Sequence, residues 1–309
     1  MSITRIQLLR GTSEALAAAN EVLLAGEMCI ETDTGKYKIG DGSTAWNDLK
    51  YGGGEVVSIS NDILSYHNAG AHNALYRGKN LGSTITEAQS AAIRAGTFED
   101  IYPGDYWEFS NVAYSSGTYS GIMRVADLDY YLRCGNTELA THHIVIVPDA
   151  ILYSARMNAT ETTAGGYVGS EMYTTNLAKA KAIFTACFGE DHILTYREKL
   201  VNAVTNGRAS GTSWYDSTVE LMDECMVYGS YQYDSGNTDG GSTFRYRNSV
   251  SCKQLNIFRY RPDLISNRQS YWLRNIVSDK WFARLDALGF PNYNPATYSQ
   301  GVRPAALIY

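Results

Sequence analysis

The C-terminal segment, residues 271–309, alternates between apolar stretches and stretches that mix aromatic with small polar residues. The apolar stretches predict three strands, which open at Trp272, cover residues 282–285 and close the chain after Val302. The remaining stretches show neither helical nor strand periodicity, and they cover residues 278–281, 286–294 and 297–300. We expect them on the surface, since a buried loop would leave its backbone polar groups without partners. Tyrosine and tryptophan beside asparagine and serine are typical of a binding surface.

The residues of this segment also resemble a known family. The segment contains, in order, Tyr-Trp-Leu-Arg, Phe-Ala-Arg, a glycine, and Gly-Val-Arg-Pro-Ala before a last short strand. This order is similar to the end of a C-type-lectin fold. It resembles the formylglycine-generating-enzyme-like branch, which phage and bacterial proteins use to diversify a ligand-binding face. The resemblance covers the chain from about Tyr102 to the end. The residues that match the framework of that branch are Trp272, Arg274, Phe282, Arg284, Gly301, Arg303 and Pro304.

Composition limits the classes of partner. A chain of 309 residues with 44% hydrophobic side chains can form one large domain or two to three small ones. Its net charge of −6 argues against nucleic acid and against anionic membrane surfaces as partners. Tyrosine is in excess, at 24 residues against 8 phenylalanines. This excess suits either a surface that binds or assembles, or a tyrosine-rich core.

The cysteines and the apolar stretches bear on the compartment. The five cysteines form no Cys-x-x-Cys pair, so we expect buried reduced thiols and no zinc site at Cys29, Cys134, Cys187, Cys225 and Cys252. No uninterrupted apolar signal region and no apolar run of ~20 residues is visible. We therefore expect synthesis in a bacterial cytoplasm, with release by a route such as lysis.

Residues 1–51 predict a compact β module. Alternation over residues 3–8 favours a first strand, and Thr12 or Ser13 is placed to cap a short helix. Two further strands are predicted over residues 27–32 and 36–40, on either side of an Asp-Thr-Gly turn.

The string ETDTGKYKIGDGSTAWNDL, residues 31–49, resembles the N-terminal module of phage tail-fibre and major tropism determinant proteins. In that family the module is β-prism-like, assembles around a threefold axis and ties the protein to the virion. The resemblance therefore implies a homotrimer that contacts phage tail or baseplate proteins. A β module of about fifty residues is marginal alone, which fits a core completed by neighbouring chains.

The same module contains a group of oxygen-bearing side chains. Asp41, Asn47 and Asp48 are of the type that a hard cation accepts. The alternative to a cation site is a turn whose side chains form hydrogen bonds with their own backbone, and we favour this interpretation. We predict no metal and no cofactor.

Residues 52–83 predict a Gly-rich linker and an irregular connector, which begins at Gly52-Gly53-Gly54. His67 and His72 lie in this connector. A metal site needs at least three protein ligands, and no third ligand is evident, so we expect solvated histidines.

The helices predicted within residues 84–309 rest on capping signals. Thr84 and Glu87 match a capping box for a helix that stops at Gly96. A second helix is predicted over residues 170–188, with one apolar stripe and Gly189 at its end. Residues 195–198 match another capping box, which predicts a third helix that ends before Gly207.

Strands are predicted in the same region. Residues 105–109 and 122–126 alternate like paired strands, and residues 143–148 form a buried strand that ends at a proline. Helices that flank antiparallel strands indicate an α+β domain over residues 84–309. This agrees with the C-type-lectin-like fold that the resemblance implies, with two main helices flanking antiparallel sheets.

Two further features of this region are candidate functional sites. His142 and His143 have no carboxylate or thiol at a recognisable spacing, which favours structural histidines. The polar loop over residues 234–242 is interpreted as a solvated insertion, with a flap near the binding face or a cation loop as alternatives.

An enzyme is not expected. The sequence has no Gly-x-Ser-x-Gly, no phosphate-binding Gly-x-x-x-x-Gly-Lys-Ser/Thr and no His-Glu-x-x-His. A phage enzyme that degrades a surface polysaccharide is one alternative, but the long β-helix repeats usual in such chains are missing. A fixed structural tail subunit is the other alternative, and the aromatic C-terminal loops argue against it.

We therefore predict a phage receptor-binding protein on the virion tail, a tropism determinant that adheres to a bacterial surface receptor. The receptor is a protein or a glycan, and neither nucleic acid nor membrane insertion is expected. The predicted receptor-binding residues are Asp279, Trp281, Asp286, Leu288, Phe290, Asn292, Tyr293, Asn294 and Tyr298.

The resemblance also implies diversification. Relatives with the Gly-Val-Arg-Pro-Ala ending are targets of retroelements that mutate adenines, which convert Asn codons into Tyr, Asp and Ser codons. The segment after residue 285 is rich in these residue types. Leu288 and Phe290 alternate with Asp286 and Asn292 as if one face of a strand were variable. An ordinary fixed loop is the alternative.

Overall fold

The structure is a computed structural model that describes residues 8–52, 68–233, 253–266 and 268–309. The chain forms two compact units, Met1–Tyr66 and His67–Tyr309. Each unit is described by itself below.

The N-terminal unit is a small three-stranded sheet with one helix. Its elements are β1 (Leu9–Gly11), α1 (Ser13–Ala19), β2 (Met28–Glu31) and β3 (Tyr37–Ile39). Strand β2 lies in the centre, parallel to β1 and antiparallel to β3. The predicted helix and both later strands are confirmed, and the Thr12 side chain caps the helix by accepting from the backbone of Ala15. The strand predicted over residues 3–8 lies outside the described residues, apart from Leu8.

The core of this unit is small. Its buried apolar residues are Leu23, Cys29 and Trp46, against which Leu16 and Leu49 pack. Several large apolar side chains of the unit are exposed instead: Leu8, Leu9, Val22, Leu24, Ile39 and Tyr51. A core of this size stabilises a domain only marginally.

The Asp41 turn has the geometry of a self-bonded turn. The Asp41 carboxylate accepts hydrogen bonds from the backbone of Ser43 and Thr44 and from both of their hydroxyls. These bonds lower the pKa of Asp41, with the Thr44 hydroxyl as the largest cause. Asn47 is held in the same unit because its backbone N–H donates to Asn20 Oδ1 and its side-chain amide donates to the carbonyl of Ala17. The carboxylate is thus satisfied by its own turn.

The larger unit contains few helices, all of them short. They are α2 (Ala69–His72), α3 (Glu87–Arg94), α4 (Leu177–Phe188), α5 (Glu224–Tyr228) and α6 (Asn256–Tyr260), with a π turn over Met172–Asn176 and 3-10 turns over Glu190–His192 and Pro262–Leu264. The capping box of α3 pairs Thr86 with Gln89, two residues after the predicted start. The end of α4 at Gly189 is confirmed, with a φ of 87° that favours glycine. Helices α3 and α4 lie within the ranges predicted for the first two helices, and α4 begins at Leu177, seven residues after the predicted start.

Most of the larger unit is antiparallel β structure. Its strands are β4 (Tyr106–Tyr114), β5 (Gly117–Leu128), β6 (Ile144–Pro148), β7 (Tyr153–Ala155), β8 (Tyr196–Thr205), β9 (Arg208–Ser217), β10 (Val219–Leu221), β11 (Tyr271–Ile276), β12 (Trp281–Leu285), β13 (Pro291–Pro295), β14 (Gln300–Val302) and β15 (Pro304–Ile308). One sheet has the order β10-β15-β6-β5-β4 and a second has the order β13-β12-β11-β14-β7, while β8 and β9 form a separate hairpin. The predicted pairing of β4 with β5 and the buried strand β6 are confirmed. The fold class is α+β with mostly β sheet.

The third predicted helix is wrong, because residues 196–205 form strand β8 of the β8–β9 hairpin. Tyr196, Glu198 and Leu200 are buried in turn while the residues between them are partly exposed, which is the two-residue period of a strand. The hairpin turn is Asn206-Gly207, with φ values of 52° and 72°. An Asn-Gly pair between two alternating runs is the strongest short-range hairpin signal, and it outweighs a capping box here.

The second sheet separates two hydrophobic clusters. Along β11, Trp272 and Ile276 belong to the cluster that also contains α4, whereas Tyr271 and Leu273 belong to the other cluster. The sheet is therefore covered on both faces over this strand. This arrangement fixes the C-terminal strands in the interior of the unit and leaves their connecting turns to form surface.

The described histidines have structural partners. His72 is buried, its Nδ1 lies 2.7 Å from the carbonyl of Ile101, and its ring stacks on Tyr102. The described part of the predicted connector, residues 68–83, packs within the larger unit, so the prediction of a solvated His72 is wrong. His67 lies outside the described residues.

His142 and His143 share the carboxylate of Asp129. His142 Nδ1 lies 2.7 Å from Asp129 Oδ2, a carboxylate companion that the sequence analysis did not find. The buried His143 accepts from the backbone of Tyr131, and burial lowers the pKa of His143 to about 4. A neutral imidazole fixed in this way is a structural element of the loop before β6.

Four of the five cysteines lie in the described residues, and the side chains of Cys29, Cys134, Cys187 and Cys225 are buried, as predicted. Cys252 and the loop over residues 234–242 lie outside the described residues. No helix in the described ranges has the length and apolar character needed to cross a bilayer.

Candidate functional site

The predicted binding residues lie along one β-hairpin and its flanking turns. Strand β12 pairs with β13 in a regular antiparallel register from Trp281 opposite Pro295 to Leu285 opposite Pro291. The prediction of an irregular loop over residues 286–294 is therefore wrong for its second half, which is strand β13. This strand is an edge strand, and a proline at each end limits its pairing with another chain.

Framework residues hold this hairpin from inside. Trp272 and Phe282 are fully buried, and the Trp272 indole donates to the carbonyl of Ala155 at 2.9 Å. A Cβ on Gly301 would lie 2.5 Å from Ile151 Cγ2 and 2.9 Å from the carbonyl oxygen of Ser270, so only glycine fits there. Arg303 is buried and donates to four acceptors, the carbonyls of Pro148, Leu264 and Ile265 and the hydroxyl of Tyr271.

Three aromatic rings form a stack at the β12 start. Trp281 lies parallel to Tyr293, with ring centroids 5.0 Å apart and an interplanar angle of 16°. The rings of Tyr233 and Tyr293 are in T-shaped contact, with centroids 5.1 Å apart and an interplanar angle of 77°. Trp281 is 37% exposed and Tyr233 is 41% exposed, so the stack reaches solvent at both ends. The contact of Trp281 with Tyr293 follows from their diagonal positions on neighbouring strands.

The turn that precedes Trp281 is held by backbone hydrogen bonds. Thr163 donates from its backbone to the Asp279 carbonyl at 2.9 Å and from its hydroxyl to the Ser278 carbonyl at 2.7 Å. Ala296 donates to the carbonyl of Lys280 at 2.9 Å. Asp279 and Lys280 themselves are exposed. We call residues 279–281 with Tyr293 and Tyr233 the aromatic patch.

The turn between β12 and β13 forms a second exposed group. Asp286 Oδ1 accepts from the backbone of Leu288 at 2.9 Å and from the backbone of Phe290 at 3.0 Å, which closes the turn. Leu288 is 75% exposed and Phe290 is 63% exposed. We call Leu288 and Phe290 the apolar tip. Because residues 286–290 form a closed turn, the predicted strand-like alternation of Asp286, Leu288 and Phe290 is wrong.

The remaining predicted residues are partly engaged with the hairpin. Asn292 Oδ1 accepts from the backbone of Tyr293 at 2.8 Å. The Asn294 amide, oriented to satisfy its neighbours, accepts from Arg284 Nε at 3.1 Å and from the Gln300 side chain at 2.8 Å. Tyr298 is 52% exposed, in the turn that follows β13.

Five of the nine predicted residues thus fall into two groups. Asp279, Trp281 and Tyr293 lie near the start of β12, while Leu288 and Phe290 lie beyond its far end. Four residue steps along β12 separate the two ends, roughly 13 Å at the usual strand rise.

Tyr233 is the site residue that sequence reasoning missed. It is contributed by a segment about sixty residues before Tyr293, and nothing in its local sequence indicates the contact. The buried Glu224 carboxylate accepts from the backbone of Gln232 at 2.8 Å and from that of Tyr233 at 3.0 Å, which places the ring.

A buried ionic network supports the sheet below the site. Arg274 on β11 lies 2.7 Å from Glu198 Oε1 and 3.3 Å from Asp223 Oδ2. Tyr131 donates to Glu198 Oε1 at 2.8 Å and Tyr196 donates to Glu198 Oε2 at 3.2 Å. These contacts join β8, β11 and the start of α5, and they keep the charged groups paired inside the unit.

A second buried carboxyl lies close to this network. Glu220 on β10 accepts from the Tyr167 hydroxyl at 2.8 Å, and its Oε1 has no partner among the described residues. Burial raises the pKa of Glu220 to about 7, and the nearby Glu198 adds to the shift.

The surface of the described hairpin offers aromatic faces, apolar side chains and a few charged groups, which is chemistry suited to adhesion. In residues 8–52, 68–233, 253–266 and 268–309, no group of three or more His, Cys, Asp or Glu side chains is arranged to hold a metal ion.

Comparison with known proteins adds information about the N-terminal module. Residues 6–44 match the family model of the major tropism determinant N-terminal domain. A solved structure of full-length streptococcal bacteriophage hyaluronidase in complex with unsaturated hyaluronan octa-saccharides is 42% identical over 15% of this chain and 13% of that chain, with a TM-score of 0.15. The match therefore spans a small part of the hyaluronidase. No curated protein matches the chain significantly. The family match supports a phage protein similar to the major tropism determinants, with a role in tropism or in the tail fibre.

Proposed function

We propose that the chain is a phage receptor-binding protein that adheres to a bacterial surface through the β12–β13 hairpin of its larger unit. The observation that carries the proposal is the exposure of large apolar side chains on this one hairpin, at Trp281, Leu288 and Phe290. Exposed apolar side chains grouped on a surface, as at the apolar tip and at the aromatic patch of this hairpin, mark interaction sites. In a chain whose first residues match a tropism-determinant domain, the partner at such a site is a host receptor.

Finer features of the proposal rest on the sequence resemblance. The larger unit is a C-type-lectin-like domain, and its buried Arg303, Gly301 and Trp272 behave as framework residues should. The N-terminal module is β-prism-like, forms a homotrimer and docks on phage tail or baseplate proteins. The protein therefore belongs to the virion tail, with the hairpins of three subunits available to one cell surface.

Two other functions are weaker candidates. A polysaccharide-degrading tail enzyme would need a pair of carboxylates or another catalytic group facing the ligand. The buried acids Glu198 and Glu220 lie in the interior. A fixed structural tail subunit would not need the exposed hairpin residues. Incubation with host polysaccharide is expected to release no reducing ends, and clear turnover would favour the enzyme.

Competition with phage for host cells tests the main proposal. Purified full-length protein is expected to adhere to host cells and to slow phage adsorption. Phe290→Ala and Tyr293→Ala should each weaken adhesion by about 1–3 kcal/mol, as truncated aromatic contacts do. Leu75→Ala, at an exposed position on the same unit, is the matched control. Adhesion that is unchanged in both aromatic variants would place the receptor site elsewhere.

We further propose that the hairpin is diversified by a retroelement. Residues of the Asn, Asp, Tyr and Ser set occupy exposed or partly exposed positions there, whereas Phe282 and Gly301 are buried. The flanking DNA should hold a near-copy of codons 272–304 that differs only at adenines, beside a reverse transcriptase. Differences that fall equally on framework codons, or the lack of such a copy, would indicate a fixed adhesin.

A further inference from the structure

The aromatic patch differs in chemistry from the apolar tip. One face of the Trp281 indole is covered by the parallel ring of Tyr293, and the residue remains 37% exposed. Among the described residues, no ring or cation packs against the opposite face, and nothing hydrogen-bonds to the indole nitrogen. Within the described residues, Trp281 thus offers one open face of its indole and an indole nitrogen that has no hydrogen-bond partner.

The two residues before Trp281 add an acceptor and a donor. Asp279 and Lys280 are exposed, and within the described part of the chain neither side chain has a hydrogen bond or an ion pair. A carboxylate accepts from hydroxyl groups and an ammonium donates to them. Their charges are opposite, so together they do not demand a charged ligand.

The backbone of this turn is fixed before any ligand arrives. Thr163 holds it with two hydrogen bonds, and Val277 and Ser278 both donate to the carbonyl of Trp281, at 3.0 Å and 3.3 Å. Behind Trp281, Tyr293 is buttressed by Tyr233, whose backbone is held by Glu224. A preorganised surface loses less free energy on binding than a flexible one.

From these observations we propose that the aromatic patch is a subsite for one neutral pyranose ring of a bacterial surface glycan. This inference rests on the proposed function and names its ligand class. The C–H groups on one side of a pyranose carry partial positive charge and meet the negative face of an aromatic ring, while its hydroxyls reach Asp279 and Lys280. A protein partner would need roughly 800 Å² on each side, far more than one indole face and two side chains.

Saturation-transfer NMR on the full-length chain tests the subsite directly. The probes are the methyl glycosides of glucose, galactose, mannose and N-acetylglucosamine at millimolar concentration. At least one is expected to receive saturation at its ring C–H protons. The signal should be lost in Trp281→Ala, largely kept in Trp281→Phe and unchanged in Leu288→Ala, with melting temperatures confirming that each variant is folded.

Adhesion to cells separates failure of this inference from failure of the proposed function. Mild periodate oxidation of host cells, which cleaves vicinal diols, is expected to abolish adhesion, whereas protease treatment should leave it intact. Trp281→Ala should weaken adhesion by roughly ten-fold or more. Adhesion that resists periodate and is lost after protease, or that is equal for Trp281→Ala and wild type, overturns the glycan subsite and leaves receptor binding standing. A wild-type chain that adheres to no host cell overturns both.

Discussion

Glu220 is a buried acid whose surroundings do not suit a negative charge. Its Oε2 accepts from Tyr167, while Glu198 lies near it and Lys181 and Arg274 partly offset the repulsion. The pKa of Glu220 rises from 4.5 to about 7, mainly because of burial. The folded chain therefore keeps a proton that the unfolded chain loses. The contribution of Glu220 to the free energy of unfolding is therefore most favourable below pH 4.5. It falls as the pH rises towards 7.

Glu220→Gln is expected to remove this dependence. The glutamine amide keeps an acceptor for Tyr167 and has no charge to bury. The free energy of unfolding of the variant should therefore exceed that of wild type by up to about 3 kcal/mol at pH 8 and by little at pH 4.5. Urea unfolding of both proteins at pH 4.5, 6 and 8 measures the difference. Glu190→Gln, at an exposed glutamate, is the control. A difference that does not change with pH would mean that the pKa of Glu220 is the same in the folded and the unfolded chain.

Arg274 is the cation of the buried network. Replacing it with methionine would leave Glu198 and Asp223 buried without their partner, so Arg274→Met should destabilise the chain by about 3–5 kcal/mol. The exposed pair of Arg156 with Glu171 offers a matched control, and Arg156→Met should cost about 0–1 kcal/mol. Chemical denaturation gives both values. An equal decrease in the free energy of unfolding for Arg274→Met and Arg156→Met would contradict a structural role for the network.

At the residue scale, sequence reasoning found the framework but not its polar partners. Trp272, Phe282 and Gly301 were recognised because their spacing matches a family pattern, and all three are buried. The ion pair of Arg274 with Glu198 joins residues far apart in the chain, so no local period signals it. The tyrosine excess contributes both to the core and to the surface. Tyr131, Tyr167 and Tyr196 are core residues, whereas Tyr233 and Tyr298 are exposed.

At the scale of elements, the β8–β9 hairpin shows why a capping signal misled the prediction. Thr195 and Glu198 fit a helix start, but Glu198 is used instead as the buried acceptor for Tyr131 and Tyr196. The Asn206-Gly207 turn then favours antiparallel pairing of the residues before it, which form β8, with the residues after it, which form β9. A tertiary contact and a turn together outweigh a weak local preference.

Gly207 provides a test of this turn. Its φ of 72° is a conformation that costs a residue with a Cβ about 1–2 kcal/mol, and asparagine tolerates it better than alanine. An added Cβ would lie 3.4 Å from the backbone nitrogen of Asp279, which is ordinary contact. Gly207→Ala should therefore lower stability by about 1 kcal/mol and Gly207→Asn by less. Thermal unfolding compares them, and an equal loss would point to a cause other than backbone conformation.

The hairpin β12–β13 illustrates the other limit of sequence reasoning. Proline and asparagine are poor strand formers, so residues 291–295 predict a loop, yet β12 supplies a complete ladder of partners for them. The edge position tolerates both prolines. Exposure of Leu288 and Phe290 was correctly expected, whereas the separation of the aromatic patch from the apolar tip depends on the pairing register.

At the scale of the whole molecule, the N-terminal unit leaves much of its apolar surface uncovered. Leu24 is 73% exposed and Val22 is 50% exposed, beside a core to which residues 8–52 contribute three buried apolar residues. Association between copies would remove such side chains from water at roughly 25 cal/mol for each Å². This fits the homotrimer that the family resemblance implies.

Light scattering at micromolar concentration tests the assembly. The mass is expected to be about three times the 34.1 kDa of one chain. Leu24→Ser should shift the mass towards the monomer, because a hydroxyl replaces an apolar contact, while Leu75→Ser, which is 47% exposed on the larger unit, should leave the mass unchanged. Linked sites that bind one surface can reach an avidity 10²–10⁴-fold above the affinity of a single site. Leu24→Ser should therefore also weaken adhesion to cells, while the affinity of one hairpin stays the same. A wild-type chain that is a stable monomer at this concentration would contradict the trimer, and adhesion would then depend on single-site affinity alone.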